Sequence, residues 1–217
     1  HPSGRCGGCD GDYQKGGQEM NDSVFYAFLS RMKYIGRWAL MRNMRTENVL
    51  EHSATVAMFA HALAVLHNER GGDVDPDRIG MMALFHETGE VLTGDLPTPV
   101  KYFNRDITAA YKDIEKRSEK RLTDSLPETL RTPVSDLVSG GTETERRLVK
   151  CADTLAAYVK CVEELAQGNT EFAEAERSTL AKLHSYNSPE VEYFLEHFVR
   201  PFGMSLDRLS GGLSGNA

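Results

Sequence analysis

Four side chains with the chemistry of metal ligands lie far apart along the chain: His52, the adjacent pair His86 and Glu87, and Asp153. Imidazole nitrogen and carboxylate oxygen suit Mn²⁺, Co²⁺, Fe²⁺ or Zn²⁺. No cysteine is near His52 or His86 in the sequence, which disfavours a closed structural zinc site. Each candidate adjoins an apolar run with helical periodicity, where a polar side chain needs a partner. The four residues therefore predict one divalent metal ion at an open, catalytic site.

Each of these residues taken alone also has an ordinary structural explanation. A single histidine on an apolar helix face is more often a hydrogen-bonded core residue than a ligand. A buried aspartate can cap a helix or pair with an arginine. The metal hypothesis therefore depends on the motifs that accompany these residues.

Two such features follow the His86–Glu87 pair. Glu90 lies four residues after His86, on the same face of a predicted helix, where its carboxylate could act as a general acid or base beside the metal. Residues 93–103, TGDLPTPVKYF, contain one glycine and two prolines and predict a rigid loop at the mouth of a site. The alternatives are a solvated glutamate at a helix end and an ordinary turn between helices.

Helical periodicity extends through most of the chain and must position these residues. The predicted helices are 23–35, 46–67, one that opens at Asp75-Pro76 and holds His86 and Glu87, 107–122, 143–167, 171–183 and 189–199. No alternating strand pattern competes with them. The sequence predicts an all-α, single-domain helical bundle.

Composition limits the class of protein further. The chain has 217 residues, of which 40% are hydrophobic and 26% are charged, enough for one buried core and too few for two large domains. The net charge of −7 disfavours binding of polymeric nucleic acid. No apolar run approaches the length needed to span a bilayer, and no signal-peptide core is apparent. We therefore expect no membrane partner and a cytoplasmic location, with Cys151 and Cys161 reduced.

The two ends of the chain lack helical periodicity. Residues 1–19 are rich in glycine and polar residues, and we expect a disordered extension or a cloning remnant. Cys6 and Cys9 in this segment form a C-x-x-C without a second Cys or His pair, which is a weak zinc or redox signal. Residues 210–217 predict a flexible tail, which leaves residues 20–209 as the functional domain.

Several motifs agree in order and spacing over residues 22–208. They are Gly36-Arg37-Trp38, LMRNMRTENV at 40–49, Glu51-His52-Ser53, EVLTGDLPTPVK at 90–101 and Lys150-Cys151-Ala152-Asp153. Together they resemble the bacterial 5′-deoxynucleotidases of the HD-domain phosphohydrolase superfamily, the YfbR type.

The resemblance implies an all-helical, homodimeric enzyme of the HD-domain type. Such an enzyme uses one divalent metal ion, Co²⁺, Mn²⁺ or a similar ion such as Fe²⁺, Zn²⁺ or Mg²⁺, to remove the 5′-phosphate from deoxyribonucleoside 5′-monophosphates. The resemblance also implies that Glu90 is the catalytic carboxylate. The implied metal ligands are His52, His86, Glu87 and Asp153, and the implied substrate contacts are Arg37, Trp38, Asp95, Leu96, Pro97 and Thr98.

The chemistry of three of these residues suits the implied roles. Arg37 has a guanidinium fork that fits two phosphate oxygens and would assist catalysis, although it could also be a surface arginine in a basic stretch. Trp38, the only tryptophan, could pack against the sugar and block a 2′-hydroxyl, or it could be a core residue. Asp95 is expected to accept a hydrogen bond from the sugar 3′-hydroxyl. No residue of the loop reads one base, so we expect a broad range of bases.

The chain departs from the family at one ligand position. The family has His-Asp where this chain has His86-Glu87, and glutamate is one methylene longer; we predict that Glu87 still binds the metal. The alternatives are an inactive nucleotide-binding relative and an HD hydrolase of deoxynucleoside triphosphates or modified nucleotides. A metalloprotease is disfavoured, because Glu90 replaces the second histidine of H-E-x-x-H.

Overall fold

The computed structural model describes residues 22–101 and 103–213, with the side chain of Thr98 excepted. Its helices are α1 (Phe25–Leu29) continued by a 3₁₀ helix (Ser30–Tyr34), α2 (Val49–Glu69), α3 (Pro76–Phe85), α4 (Glu90–Thr93), α5 (Thr98–Lys101), α6 (Arg105–Asp124), α7 (Glu128–Ser139), α8 (Glu143–Ala166), a 3₁₀ helix (Thr170–Phe172), α9 (Ala173–Ser185), α10 (Pro189–Phe198), a 3₁₀ helix (Arg200–Gly203) and α11 (Leu206–Leu213). These residues contain no β-strand, and one antiparallel bridge joins Gly36 and Asn48. The prediction of an all-α, single-domain bundle is confirmed.

Local sequence signals fix where the three central helices begin. Helix α2 starts with a capping box in which the Asn48 side chain accepts from the Glu51 backbone N–H and the Glu51 carboxylate accepts from the Asn48 N–H. Thr142 and Glu145 form the same reciprocal pair before α8. Asp75 caps α3, which has proline in its first turn. Such caps satisfy backbone donors that would otherwise lack partners, and each is worth about 1 kcal/mol.

The main core lies between α2, α3 and α8. Helix α2 contributes fully buried side chains on the turns that follow His52 in sequence, and α8 contributes them both before and after Asp153. The fully buried apolar residues of these three helices include Val56, Ala60, Leu63, Ile79, Ala83, Leu148, Ala152 and Leu155. Burying one valine, leucine or isoleucine side chain stabilises the fold by about 1.5–3 kcal/mol. His52 and Asp153 therefore stand on helices of the main core, and His86 and Glu87 directly follow a third.

Helix α2 differs from the sequence expectation in one respect. With 21 residues and a mean hydropathy of 1.5 in its apolar window, it is long and apolar enough to cross a membrane by length and composition, although no such run was expected. Core helices pass the same test. Helix α2 packs against α3 and α8 and buries His52 and Ser53 in that contact. The core accounts for its apolar character.

The helix predicted to hold His86 and Glu87 ends earlier than expected. Helix α3 stops at Phe85, residues 86–89 form turns, and Glu90 begins the separate helix α4. The Thr88 hydroxyl contributes to this ending by donating to the Phe85 carbonyl at 2.6 Å. Glu90 is therefore not on a continuous helical face with His86, and the structure corrects that prediction.

Other boundaries also differ from the predicted ones. Helix α7 was not predicted, and it contains Pro133, a residue that normally argues against a helix interior. The predicted loop 93–103 includes the short helix α5. Helix α11 extends to Leu213, so the predicted tail begins inside a helix. The expectations for residues 1–19 and 214–217 lie outside the described residues.

Candidate active site

The four predicted ligands meet at one point of the fold. His52 comes from α2, His86 and Glu87 from the turn after α3, and Asp153 from α8. One ligand atom of each lies within 4.8 Å of the others. The Nε2 atom of His52 is 3.1 Å from Asp153 Oδ1, and the Nε2 atom of His86 is 3.3 Å from Glu87 Oε1. Residues 101 positions apart in the sequence thus form a cluster that could hold a metal ion.

The donor atoms of this cluster fit a divalent ion. His86 Nδ1 donates to the Ala83 carbonyl at 2.6 Å, which fixes the ring tautomer and leaves Nε2 to face the cluster. Within the described part of the chain, His86 Nε2 is buried without a well-aligned hydrogen bond, and His52 directs its own Nε2 at the same cluster. Buried polar atoms of this kind call for an explanation, and two imidazoles with two carboxylates form an ordinary ligand set for a transition metal or zinc.

The charges of the cluster favour a cation in the same place. Burial alone would lower the pKa of His86, but the carboxylates of Glu87 and Asp153 raise it to about 10. Burial alone would raise the pKa of Asp153, but hydrogen bonds to both histidines hold it well below its usual range. The two carboxylates therefore remain ionised in a buried setting and create a strong local demand for positive charge.

Arg37 and Trp38 lie beside the cluster on the segment between the first 3₁₀ helix and α2. The Arg37 guanidinium places Nη1 3.6 Å from Glu87 Oε1, and its Nε donates to Glu47 Oε2 at 3.1 Å. Burial alone would lower the pKa of Arg37, but the carboxylates of Glu47 and Glu87 raise it. The Trp38 ring lies 5.3 Å from the Phe172 ring in a tilted arrangement. Trp38 also has a φ of 59°, an uncommon left-handed conformation for a bulky residue.

Glu90 is the most unusual acid of the site. It is only 3% exposed, and its Oε2 atom has no hydrogen-bond partner among the residues that the structure describes. Burial, together with the charges of Glu87 and Asp95, raises the pKa of Glu90 to about 9. Lys101 Nζ opposes this shift from 3.7 Å and also contacts Glu115 Oε1 at 3.1 Å. Glu90 therefore holds a proton at neutral pH.

A cavity of ≈ 650 Å³ adjoins the cluster, a size within the range of small-ligand pockets. The predicted site residues that line it are Arg37, Trp38, His86, Glu87, Glu90, Asp95, Leu96, Pro97 and Asp153. His52 is fully buried, and Thr98 lies outside the described side chains. The wall contributed by α9, with Ala175, Ser178, Thr179 and Lys182, was not anticipated.

Sequence reasoning also missed roles for Glu47, Lys101 and Glu115. Glu47 and Lys101 stand in motifs that carried the family resemblance, yet nothing in those motifs shows which side chains they contact. Glu115 lies on α6, and only the packing of α4 and α5 against α6 brings it to the pocket. These contacts are tertiary, so no local pattern predicts them.

Comparison with known proteins identifies the relatives of this chain. Residues 24–202 match the family described as 5′-deoxynucleotidase YfbR-like. The proteins called 5′-deoxynucleotidase YfbR from Escherichia coli strains K12 / DH10B and SE11 are 52% identical over 194 residues, which cover 88% of this chain and 98% of each relative.

The fold has solved counterparts. An HD-domain phosphohydrolase from Listeria innocua superposes with a TM-score of 0.72 at 22% identity, covering 89% of this chain and 98% of the other. A conserved hypothetical protein from Pyrococcus furiosus gives 0.57 at 24% identity, with 78% and 96% covered. These two structural similarities show the fold, and the sequence matches show the family. The chain belongs to the YfbR-like 5′-deoxynucleotidase family.

Proposed function

We propose that this protein is a divalent-metal-dependent 5′-deoxynucleotidase that removes the phosphate from deoxyribonucleoside 5′-monophosphates. The observation that carries the proposal is the convergence of His52, His86, Glu87 and Asp153 beside a pocket that is also lined by the buried carboxyl group of Glu90 and the largely buried guanidinium of Arg37. Membership of the family supports the choice of substrate, because relatives at 52% identity carry the name 5′-deoxynucleotidase.

His52, His86, Glu87 and Asp153 would hold the ion, which we expect to be Co²⁺, Mn²⁺ or a similar divalent metal. When bound, such an ion supplies Lewis-acid stabilisation of phosphoryl charge and activation of water. The hydrogen bond from His86 Nδ1 to the Ala83 carbonyl keeps the ring oriented for binding. The negative charges of Glu87 and Asp153 match the charge of the ion.

Arg37 is proposed to bind the phosphate and to stabilise its developing charge. Its Nε is already used by Glu47, so the Nη end is the part that approaches the cluster, 3.6 Å from Glu87 Oε1. A fixed guanidinium can contact two phosphate oxygens at once. Because Arg37 is largely buried, its charge is poorly screened by water and acts strongly on a bound anion.

Glu90 is proposed as the general acid. A carboxyl group with a pKa of about 9 is protonated at neutral pH and can transfer its proton to the leaving 5′-oxygen. Lys101, 3.7 Å from Glu90 Oε1, stabilises the carboxylate that this transfer leaves behind. The residue thus has both the proton to donate and a neighbour that limits the cost of donating it.

Trp38 and the segment from Asp95 to Thr98 are proposed to hold the nucleoside. The only donor of the Trp38 ring is directed to Glu47, so the indole contributes its flat surface to the pocket. A flat ring beside the sugar would exclude a 2′-hydroxyl by contact, without a hydrogen bond. Asp95, Leu96 and Pro97 line the same cavity, with Asp95 proposed to accept from the 3′-hydroxyl.

The test is phosphate release from matched 5′-dNMP and 5′-NMP substrates with Mn²⁺, Co²⁺, Mg²⁺, Zn²⁺ or a chelator. We expect metal-dependent release from the deoxy series, abolished by the chelator and restored by added metal. His86→Ala is expected to abolish release, and His184→Ala, which changes an exposed histidine that pairs with Glu192, is the matched control. Release from deoxynucleoside triphosphates alone, or no release with any ion, would overturn the proposed reaction.

We also propose that the enzyme is a homodimer. An exposed apolar stripe of Leu50, Met58 and Val65 follows one side of α2, and Met81 is exposed on the adjacent α3. Contiguous exposed apolar surface commonly marks a protein interface. Light scattering should give twice the chain mass for the wild type and the monomer for Met58→Glu, with Leu209→Glu as a control on α11. A monomeric wild type contradicts the proposal.

Two further proposals concern where the protein is located and what it does not bind. We propose a cytoplasmic enzyme that binds neither a membrane nor polymeric nucleic acid. The net charge of −7 supports the absence of nucleic-acid binding, because phosphate backbones require a basic surface. Fractionation of cells and an electrophoretic mobility assay with duplex DNA test the two statements separately.

A further inference from the structure

One carboxylate oxygen is shared by the two residues proposed to hold the nucleotide. Glu47 Oε2 accepts from Arg37 Nε at 3.1 Å and from Trp38 Nε1 at 3.1 Å. The Glu47 and Arg37 side chains are only 17% and 12% exposed, so solvent screens this contact weakly. Glu47 is not among the residues of the ligand cluster, and the reaction proposed above gives it no part in binding the metal or transferring a proton.

The backbone around Glu47 is fixed as well. Gly36 and Asn48 form an antiparallel bridge, and the Arg37 N–H donates to the Glu47 carbonyl at 2.9 Å. The next residue, Trp38, has a φ of 59°, a conformation that costs a bulky residue energy unless its surroundings hold it. The hydrogen bond from the indole N–H to Glu47 is one contact that holds it there.

These contacts determine which surfaces of the two side chains reach the pocket. With Nε bound to Glu47, the guanidinium can offer only its Nη atoms to an anion. With Nε1 bound to Glu47, the indole can offer only its face. We propose that Glu47 is a positioning residue that orients Arg37 toward the phosphate and Trp38 toward the deoxyribose of a 5′-deoxynucleotide as one unit. This inference rests on the function proposed above.

The segment that carries Arg37 and Trp38 is also anchored independently of the Glu47 side chain. The Glu164 carboxylate accepts from the backbone N–H groups of Met44 at 2.8 Å and Arg45 at 3.2 Å. Arg42 pairs with Glu171 farther along the same segment. Removal of the Glu47 carboxylate should therefore change the orientation of two side chains and leave the path of the backbone in place.

The experiment compares Glu47→Gln and Glu47→Ala with the wild-type chain. The matched control is Glu171→Gln, which removes the carboxylate that pairs with Arg42 in the same segment. Steady-state rates with Mn²⁺ are measured for deoxyadenosine and adenosine 5′-monophosphate. Emission of the single tryptophan, which is Trp38 itself, is recorded while the deoxynucleotide is titrated with a chelator present.

We expect KM for the deoxynucleotide to rise about ten- to a hundredfold in Glu47→Ala, because one hydrogen bond to each oriented group is lost. Preference for the deoxy substrate should fall, and Trp38 emission should shift. Glu47→Gln should be intermediate, since its amide oxygen can still accept both hydrogen bonds but lacks the charge that strengthens the one from Arg37. Glu171→Gln should retain the wild-type KM, selectivity and emission.

A purely structural role predicts a different result. Glu47→Ala would then lower the unfolding temperature and leave KM, sugar selectivity and Trp38 emission unchanged in the folded protein, which would overturn the proposal. The tryptophan titration keeps the two proposals separate. If the wild type releases no phosphate, the proposed function fails, and wild-type emission and nucleotide affinity in Glu47→Ala would independently overturn the role of Glu47.

Discussion

Helix α8 carries two buried charged clusters that differ in how completely their hydrogen bonds are satisfied. In the cluster of Lys160 and Glu164, the Glu164 carboxylate accepts hydrogen bonds from four protein groups. They are the backbone N–H groups of Met44 and Arg45, the Asn169 side-chain amide and the Lys160 ammonium. Around Asp153, a short distance along the same helix, buried atoms of neighbouring residues lack partners in the described part of the chain.

The difference separates a structural cluster from a binding cluster. The Glu164 cluster fastens the segment with Arg37 and Trp38 to α8, and its charges compensate each other. The cluster at Asp153 has two histidine nitrogens and two carboxylates directed at one point, an arrangement that could hold a metal ion. Substitutions in the first cluster should therefore affect folding, and substitutions in the second should affect chemistry.

The largest expected effect is the loss of activity in Asp153→Asn. The amide is isosteric but a poor metal ligand, and loss of several kcal/mol of Lewis-acid stabilisation lowers phosphate release by at least about a thousandfold. The free energy of unfolding should change by only about 1 kcal/mol. Phosphate release, bound-metal content and urea unfolding measure the three quantities, with Asp113→Asn on exposed α6 as the control. A stability loss as large as the activity loss would contradict a binding role.

Glu90→Gln should have the next largest effect. Loss of a general acid lowers kcat by about 100- to 10,000-fold, and metal binding should persist because Glu90 is outside the ligand cluster. Because burial raises the pKa of Glu90, wild-type kcat should fall on the alkaline side of the pH profile, and the variant should lack this dependence. Glu115→Gln, which changes the other partner of Lys101, is expected to reduce kcat far less.

The structural cluster gives the opposite pattern. Glu164→Ala leaves the Lys160 ammonium buried without its partner, and breaking such a pair costs about 3–5 kcal/mol. Urea unfolding measures this loss, with Glu174→Ala, an exposed pair on α9 worth about 0–1 kcal/mol, as the control. Metal content of the folded protein should be unchanged. If Glu164→Ala lost metal without losing stability, the structural role of Glu164 would be contradicted.

The sequence was sufficient to predict the long helices and to single out four side chains that the structure brings together. His52, His86, Glu87 and Asp153 stand out because polar ligands interrupt apolar helical runs, and the periodicity of α2 and α8 is uninterrupted. The break after Phe85 was not predictable in the same way. It depends on turns at residues 86–89, where Gly89 has a helical φ of −61°, and the first glycine after Phe85 with a positive φ is Gly94.

The contacts that orient the site could not be predicted for a different reason. The Glu164 carboxylate accepts from the backbone N–H of Met44, 120 positions away, and backbone donors leave no trace in residue types. Glu47 is close to Arg37 and Trp38 in sequence, but its contact with both depends on the bridge between Gly36 and Asn48 and on the left-handed Trp38. Such information resides in the packed structure.

Acid pH provides a gentler way to disturb the structural cluster. Burial alone would raise the pKa of Glu164, but hydrogen bonds from Lys160 and Asn169 lower it to about 2. A group with a depressed folded-state pKa stabilises the fold above its unfolded value of 4.5, and this contribution is lost as the pH falls toward 2. Unfolding measured from pH 5 to pH 2 should therefore show a smaller decline in Glu164→Gln than in the wild type. Equal declines would show that Glu164 is not a source of acid sensitivity.

The smallest expected effect concerns the position at which this chain differs from its family. Glu87 Oε1 already lies 3.3 Å from His86 Nε2, 3.9 Å from His52 Nε2 and 3.6 Å from Arg37 Nη1. The Glu87 side chain therefore delivers its oxygen to the cluster, and Glu87→Asp keeps the carboxylate but shortens it by one methylene.

We expect Glu87→Asp to keep or raise kcat/KM, with changes within about tenfold, or 1.4 kcal/mol. Metal titration of both proteins, with kcat/KM measured at saturating metal, separates ion affinity from chemistry. Complete loss of activity in Glu87→Asp would contradict the ligand assignment, because the variant keeps a carboxylate at this position and changes only its length. An unchanged rate with a changed ion preference would instead show that the extra methylene of Glu87 affects which metal is bound. The cluster at Asp153 would then tolerate a carboxylate of different length as long as its charge is kept, unlike the cluster at Glu164.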